Sequence, residues 1–586
     1  MKQFFKFVFA SMLGVILSTF LLLVIFIIGI TAVVSTSKDN VEVKENTILH
    51  VNLNLPIQER SAPNPLDNLD IGPFKGEKVL GLDQILKGIE HAKTDDNIKG
   101  IYLDVSYMVT GFATIEEIRN ALLDFKTSGK FIVAYSEVYT QGAYYLASVA
   151  NKIYLNPQGM LELKGFSSNI MFYKGALDKL DIEAQIIKVG TYKSAVEPFI
   201  LDEMSDANRL QTKELLGSLY QHFTAGIAAS RKIPQDSIIA IADGLKSRSP
   251  EDAVKYKLVD ALKYKDEVLD ELKAKTSIEK TKNLNTVTLS EYAKTVITTS
   301  TASDRIAVIY ANGEINGGEG DENSIGSEGI SRSLRKARLD DKIKAVVLRV
   351  NSPGGSSLAS DVIWREVLLT KKVKPVIVSM GDYAASGGYY IACAADSIFA
   401  EPNTITGSIG VFAIIPNMKG FLNNKLGVTF DGVKTGQFAD LGDVSRPLTG
   451  AEKMILQREV NRTYQDFTKR VAEGRHVSQA YVDSIGQGRV WTGEQAIKLK
   501  LVDRLGHLND AIASAAKKAK LKEYKIVTYP EIKDGFFGLL GDSGDKIKTY
   551  MVKQELGISY PYYQKIKEVV NMKGMQARMP YEITIE

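Results

Sequence analysis

The sequence predicts an α/β protein made of two tandem copies of one domain behind an N-terminal transmembrane helix. Three observations predict it. DDNIKGIYLDV (95–105) recurs as DDKIKAVVLRV (340–350), and GAYYLASVANKIYLNP (142–157) recurs as GGYYIACAADSIFAEP (387–402), each 245 residues on. A repeat of that length is a whole domain rather than a solenoid unit. Within each copy, apolar runs of strand length alternate with helical spacing, the pattern of a parallel sheet with crossover helices. Finally, Phe7–Val34 is nearly all apolar, longer than the roughly 20 residues that span a bilayer.

The elements follow in order. The apolar run exceeds the roughly 7–15 residues of a cleaved signal-peptide core, so an uncleaved anchor is expected over 1–37. Lys2 and Lys6 precede it, which keeps the N-terminus cytoplasmic and puts the body across the membrane. STSKDNVEVKENT (35–47) is a polar linker. ILHVNLNLPI (48–57) alternates as a strand does, and its partner in the second copy is RIAVIYANGEI (305–315). Pro63 and Pro65 mark a loop after the first, and a Gly-rich stretch (317–329) marks one after the second. ILKGIEHAKTDD (85–96) has helical spacing and leads into the buried strand IKGIYLDV; FIVAYSE (131–137) and PVIVSMGD (375–382) are the next strand pair. AVKYKLVDAL (253–262) and AIKLKLVDRL (496–505) close the copies. The expected domains are therefore 48–275 and 305–520, with a linker at 276–304 and an extension at 521–586. In that extension KIVTYPE (525–531) is the one strand signal.

Composition narrows the function. The chain is 45% hydrophobic and 24% charged with a net charge of +4, ordinary for a globular protein. Lys and Arg are spread along it without a basic patch interleaved with aromatics, so no nucleic-acid partner is expected. Cys393 is the single cysteine and reads as core packing. The five histidines (His50, His91, His222, His476, His507) lack metal-ligand spacing, so neither a metal nor another cofactor is expected.

The differences between the copies point to chemistry. Ser386 stands before the repeated helix where the first copy has Gln141. It lies between a strand and a helix N-terminus, where the helix dipole favours developing negative charge; a plain helix cap would use the same residue type. NSPGG (351–355) follows a buried strand, and Gly354 and Gly355 can offer backbone N–H groups to an oxyanion. The first copy has SYMVTG (106–111) there. Conversely, KVGTYKSA (188–195) pairs with KTGQFADL (434–441), which sets Lys193 against Ala439. Each copy keeps what the other lost, as a serine nucleophile and a lysine base divided between two domains would. Lysine acts as a base once burial lowers its pKa, and Tyr192, Val196 and Phe199 are apolar neighbours in sequence; a surface lysine is the alternative. Ser408 in ITGSIGVF can accept a hydrogen bond from that amine, or serve as a turn residue.

NSPGGS, AASGGYYIA, ITGSIGV and GTYKSAVEPF together resemble the signal peptide peptidase A (protease IV) family in its long, duplicated form, from the anchor to about residue 520. That resemblance implies a ClpP/crotonase-like fold in each copy. It implies a membrane-anchored serine endopeptidase with Ser386 as nucleophile, Lys193 as base and Ser408 orienting the lysine. Oxyanion donors would come from Gly354, Gly355 and Gly387. It further implies signal peptides and other apolar peptides as substrates, contact with membrane lipid, a homotetramer, and a catalytic body on the outer side of the cytoplasmic membrane. Two other readings stand beside it: an acyl-CoA enzyme of the crotonase fold, and a non-catalytic membrane scaffold.

Overall fold

The computed structural model describes residues 2–36, 43–60, 79–295, 301–532, 543–557, 560, 563 and 574–579. A single helix, Lys2–Thr36, carries the apolar N-terminal run. Pro63 and Pro65 lie outside the described residues.

The first copy contributes β1 (Thr47–Asn52), β2 (Ile57–Gln58), β3 (Leu80–Gly81), β4 (Ile98–Asp104), β5 (Phe131–Tyr139), β6 (Lys152–Leu161), β7 (Glu183–Val189), β8 (Ala261–Leu262) and β9 (Thr286–Thr288). The second contributes β10 (Arg305–Asn312), β11 (Glu314–Asn316), β12 (Ser324–Gly326), β13 (Ile343–Ser352), β14 (Gly354–Ser356), β15 (Val376–Ala385), β16 (Ser397–Ala400), β17 (Ile405–Gly407), β18 (Val411–Asn417), β19 (Val490–Thr492) and β20 (Arg504–Leu505). Two more come from the extension: β21 (Lys525–Tyr529) and β22 (Gln576–Arg578).

The strand–helix–strand alternation gives the parallel sheet it predicts. The first sheet runs β8-β6-β5-β4-β1-β9 and is parallel throughout. The second runs β19-β17-β15-β13-β10-β21, its central strands also parallel. Both central strands are buried on both faces, Gly100–Leu103 and Ala345–Val350 lying under crossover helices and being apolar apart from Arg349. Each copy has its own core, one built around Leu49, Ile101 and Ile132, the other around Ile309, Leu348 and Val378.

One boundary moves. The expected linker at 276–304 contains β9, which adds to the first sheet beside β1 just as β21 adds to the second beside β10. The repeat therefore runs on into that segment. β9 buries only Val287, between two exposed threonines, which is why it lacks a strand-like apolar run.

A third sheet joins the copies. Its order is β12-β11-β14-β22-β18-β7, so β7 of the first copy pairs antiparallel with β18 of the second, from Val189↔Val411 to Glu183↔Asn417. Buried charge ties the copies together behind it. Arg349, on β13, donates to Glu59 and in bidentate fashion to Glu117, both from the first copy. Asp382 accepts from the Thr114 backbone and hydroxyl.

Candidate active site

Ser386 follows β15 and stands at the N-cap position of the helix Gly387–Ala392, its side chain making no cap bond. Its backbone is strained, with φ 55° and ψ −114°, a region that a residue with a Cβ enters only where the surroundings hold it. The Ser386 N–H donates to the Gly407 carbonyl at 2.8 Å, which fixes the turn. The first copy shows what happens without that demand. There Thr140 caps the helix at φ −69°, ψ 164°. Gln141 turns its amide to the next loop, donating to the Gly165 carbonyl and accepting from the Lys164 and Gly165 N–H groups.

Lys193 comes from the other copy. β7 ends at Val189 opposite Val411, and Gly190 (φ 105°) turns the chain. A Cβ at Gly190 would lie 2.6 Å from the Gln487 backbone, so only glycine permits this approach. The Tyr192 N–H then donates to the Gln487 carbonyl. Lys193 is left fully buried against the second copy. Gly410 and Gly488 make room for it: a Cβ on the former would come to 3.1 Å of Lys193 Cδ, and one on the latter to 2.6 Å of its backbone nitrogen. The Phe412 ring lies 5.9 Å from Nζ. Of the apolar neighbours expected from sequence, Val196 is buried with Phe412. Tyr192 instead packs under Arg489, and Phe199 stacks on Tyr173.

Three oxygens surround the amine. Lys193 Nζ is 2.9 Å from Ser386 Oγ, 3.1 Å from Ser408 Oγ and 3.3 Å from the Ser408 carbonyl oxygen. A neutral amine has two N–H donors and one lone pair, which matches donation to the two Ser408 oxygens and acceptance from the Ser386 hydroxyl. Burial drives the Lys193 pKa well below its usual value, because no carboxylate offsets the desolvation of the ammonium. Ser408 is itself held at φ 49° by its N–H bond to the Arg489 carbonyl.

The glycines divide. Gly354 and Gly387 face each other beside Ser386: a Cβ on Gly354 would lie 2.8 Å from the Gly387 nitrogen. The Gly354 N–H donates to Ser352 Oγ at 3.1 Å. Gly355 (φ 154°) packs against the Ile315 backbone of β11. The segment 434–441, aligned with the lysine loop by sequence, is an exposed loop that follows β18 in the chain.

Signals missed in the sequence are Gly190, Gly410 and Gly488, together with the network that anchors the lysine loop. In that network Gln211 donates to Tyr192 O and Ser194 Oγ, while Glu197 accepts from Ser205 and Asn208. The GSIG and GQG spacings of the second copy were the available hint. Among the described residues, Glu117, Glu401 and His507 also converge as possible metal ligands. Glu117 is occupied by Arg349 and the Leu508 N–H, and Glu401 by His507. A cation there would sit beside the Arg349 guanidinium, so the group reads as a charge-balanced joint between the copies.

Comparison with known proteins agrees with the duplication. The model of Peptidase family S49 matches twice, over residues 124–279 and 369–522. Protease 4 of Salmonella typhi is 42% identical over 459 residues, 77% of this chain and 74% of that protein. The chloroplastic serine protease SPPA of Arabidopsis thaliana is 34% identical over 509 residues, 85% of this chain and 74% of that one. Among solved structures, ClpP1 of Listeria monocytogenes matches at 20% identity and a TM-score of 0.23, over 35% of this chain and 92% of its own. With the family model matching both copies and relatives aligned over most of their length, the chain belongs to Peptidase family S49 and is a serine peptidase.

Proposed function

We propose that this serine peptidase is a membrane-anchored endopeptidase that works by a Ser386/Lys193 dyad divided between its two copies. The observation that carries the reading is the buried, carboxylate-free amine of Lys193 at 2.9 Å from Ser386 Oγ. Neutral Lys193 takes the hydroxyl proton as Ser386 Oγ attacks the peptide carbonyl carbon. Ser408 holds the amine through its two oxygens. The tetrahedral oxyanion draws on the Gly387 N–H at the start of the helix behind Ser386, while the Gly354 N–H is taken by Ser352 Oγ and Gly355 lies against Ile315 in the joining sheet. Lys193, now protonated, returns that proton to the leaving amine, and the acyl-enzyme forms. It then deprotonates water to release the acid and regenerate Ser386.

The helix Lys2–Thr36 supports a single-pass anchor in the cytoplasmic membrane, in contact with lipid, with Lys2 and Lys6 keeping the catalytic body outside. A peptidase at that surface meets signal peptides left by preprotein processing, so these and other apolar peptides are the proposed substrates. Assembly as a homotetramer would cover exposed apolar side chains such as Leu426, Val428, Phe430 and Val433.

The test is hydrolysis of a fluorogenic apolar peptide by detergent-solubilised protein. Ser386→Ala and Lys193→Ala are each expected to lose activity while keeping the wild-type fold by circular dichroism. A folded Lys193→Ala protein with wild-type turnover would overturn the dyad.

A further inference from the structure

One turn of the second copy holds both partners of Ser386. Residues 486–489 lead from the helix Gln479–Ile485 into β19. The Gln487 carbonyl accepts the Tyr192 N–H at 2.8 Å, and the Arg489 carbonyl accepts the Ser408 N–H at 2.7 Å. Between them the Gly488 N–H donates to the Ile409 carbonyl at 2.7 Å, while Gly488 itself lies on the Lys193 backbone. Any shift of this turn therefore moves the amine together with the serine that receives its N–H groups.

Two sets of contacts fasten the turn. Within the second copy, the Gln487 N–H donates to the Tyr464 hydroxyl oxygen at 3.2 Å. The Gln487 amide and the Tyr464 hydroxyl each donate to Asp483 at 2.6 Å. Toward the first copy, the Arg489 guanidinium lies 5.0 Å from the centre of the Tyr192 ring and 4.2 Å from that of Trp491. It pairs with Glu214 of the helix Asp206–Arg231. Gln211, one helical turn earlier, donates to the Tyr192 carbonyl at 3.0 Å. One face of that helix thus grips the lysine loop directly and, through Arg489, the turn beneath it. The Arg489 side chain is only 19% exposed. A flat guanidinium can lie on two rings and still reach a carboxylate, which a lysine ammonium cannot do.

The first copy kept the frame of this turn without the clamp. DGLKSRS (243–249) aligns with GQGRVWT (486–492). Each segment ends on the residue that caps the next helix in a capping box, Ser249 or Thr492. Where the second copy has Gly488, Arg489 and Trp491, the first has Leu245, Lys246 and Arg248, and Lys246 is exposed. A turn needed only for the fold would call for the same residues in both copies. The glycine and the ring-bound arginine occur only where a lysine loop docks.

We propose that Arg489 is a positioning residue: its guanidinium clamps Tyr192 to the turn 486–489, so that Lys193 and Ser408 reach Ser386 as one unit. Such a role rests on Lys193 being the base. With the clamp open, the lysine loop slackens, water reaches the amine, and the amine holds its proton to higher pH.

The experiment compares full-length wild type, Arg489→Met and Arg489→Lys in detergent across neutral and alkaline pH, with a fluorogenic apolar peptide. In Arg489→Met the rise of kcat with pH is expected to move upward by about one pH unit. At neutral pH kcat then falls about tenfold with KM near wild type, and much of the loss returns at high pH. Arg489→Lys keeps the charge without the plane and is expected to follow Arg489→Met. A second readout needs no catalysis. Lys193→Met removes the buried amine, and the melting temperature it gains at pH 7 measures how dry that amine was. The gain is expected to shrink when Lys193→Met is made in the Arg489→Met background. Tyr192→Leu, which removes one ring and leaves Arg489, carries the same comparisons should Arg489→Met fail to fold. An unmoved pH profile with an unchanged melting gain would overturn the proposal, as would full rescue by Arg489→Lys. Wild-type turnover in Lys193→Ala would instead strike the proposed dyad, and the melting gain would still decide whether Arg489 keeps the amine dry.

Discussion

Lys193 Nζ stands 2.9 Å from Ser386 Oγ, although the two residues sit in different copies of the domain. On the proposed dyad, neither copy works alone. The joint that aligns them, the β7–β18 pairing with the Arg349 cluster behind it, is part of the candidate active site as much as the dyad is.

The first prediction concerns protonation. With Lys193 as base, kcat/KM rises with pH through a lysine pKa lying below the ordinary value, then levels off. Lys193→Arg keeps its proton and is expected to lose activity by at least about 10³-fold at every pH tested. Stability follows from the same shift. Between the lowered folded-state pKa and the unfolded value near ~10.4, the unfolded chain carries the proton and the folded chain does not. Burial therefore costs stability at neutral pH, and the cost shrinks as pH rises toward the unfolded pKa. Lys193→Met is expected to melt above wild type at pH 7, with the gap closing toward pH ~10.4. Equal melting temperatures at pH 7 would mean that the site holds an ammonium.

The proposed role of Ser408 is to position the Lys193 amine. Ser408→Ala removes one of the two oxygens that receive the Lys193 N–H groups. The expected result is a kcat lower by roughly 10–100-fold with KM near wild type, and a displaced pH profile. A changed KM with an unmoved profile would indicate a substrate contact instead.

Arg349 neutralises two buried carboxylates across the joint. Arg349→Met leaves Glu59 and Glu117 buried without a counter-charge, which should cost about 3–5 kcal/mol. Denaturant unfolding measures that loss, and Glu117→Gln in the same protein should restore part of it. Peptidase activity should fall and recover in parallel, because the joint sets the lysine-to-serine distance.

The first copy should not be revivable by one substitution. Gln141→Ser in a Ser386→Ala background is expected to stay inactive, since Lys193 is seated at position 386 of the second copy. It should also lose about 1–3 kcal/mol, because the Lys164 and Gly165 N–H groups lose their acceptor. Peptide hydrolysis by that double variant would show that the first copy retains a base of its own.

Much of the architecture was legible in the chain. The 245-residue repeat, the buried strands at Ile98–Asp104 and Ile343–Ser352 and the apolar N-terminal helix rest on periodicity and burial, which are local properties of sequence. β9 was not legible, because an edge strand with one buried side chain has no apolar run to show. The identities of Ser386 and Lys193 were readable as complementary differences between the copies, a comparison the duplication itself supplies.

What brings them together was not readable. The packing of Gly410, Gly488 and Phe412 around the lysine depends on contacts between residues more than 200 positions apart. The seating of Met575–Met579 between β14 and β18 likewise depends on pairing with strands far away in the sequence. Sequence determined the two domains and their chemical parts, because turn, strand and helix preferences act over a few residues. Tertiary structure alone decided which lysine is dry enough to be a base and what lies in the groove beside it. Desolvation and strand pairing across the joint belong to the assembled surfaces, and no segment carries them by itself.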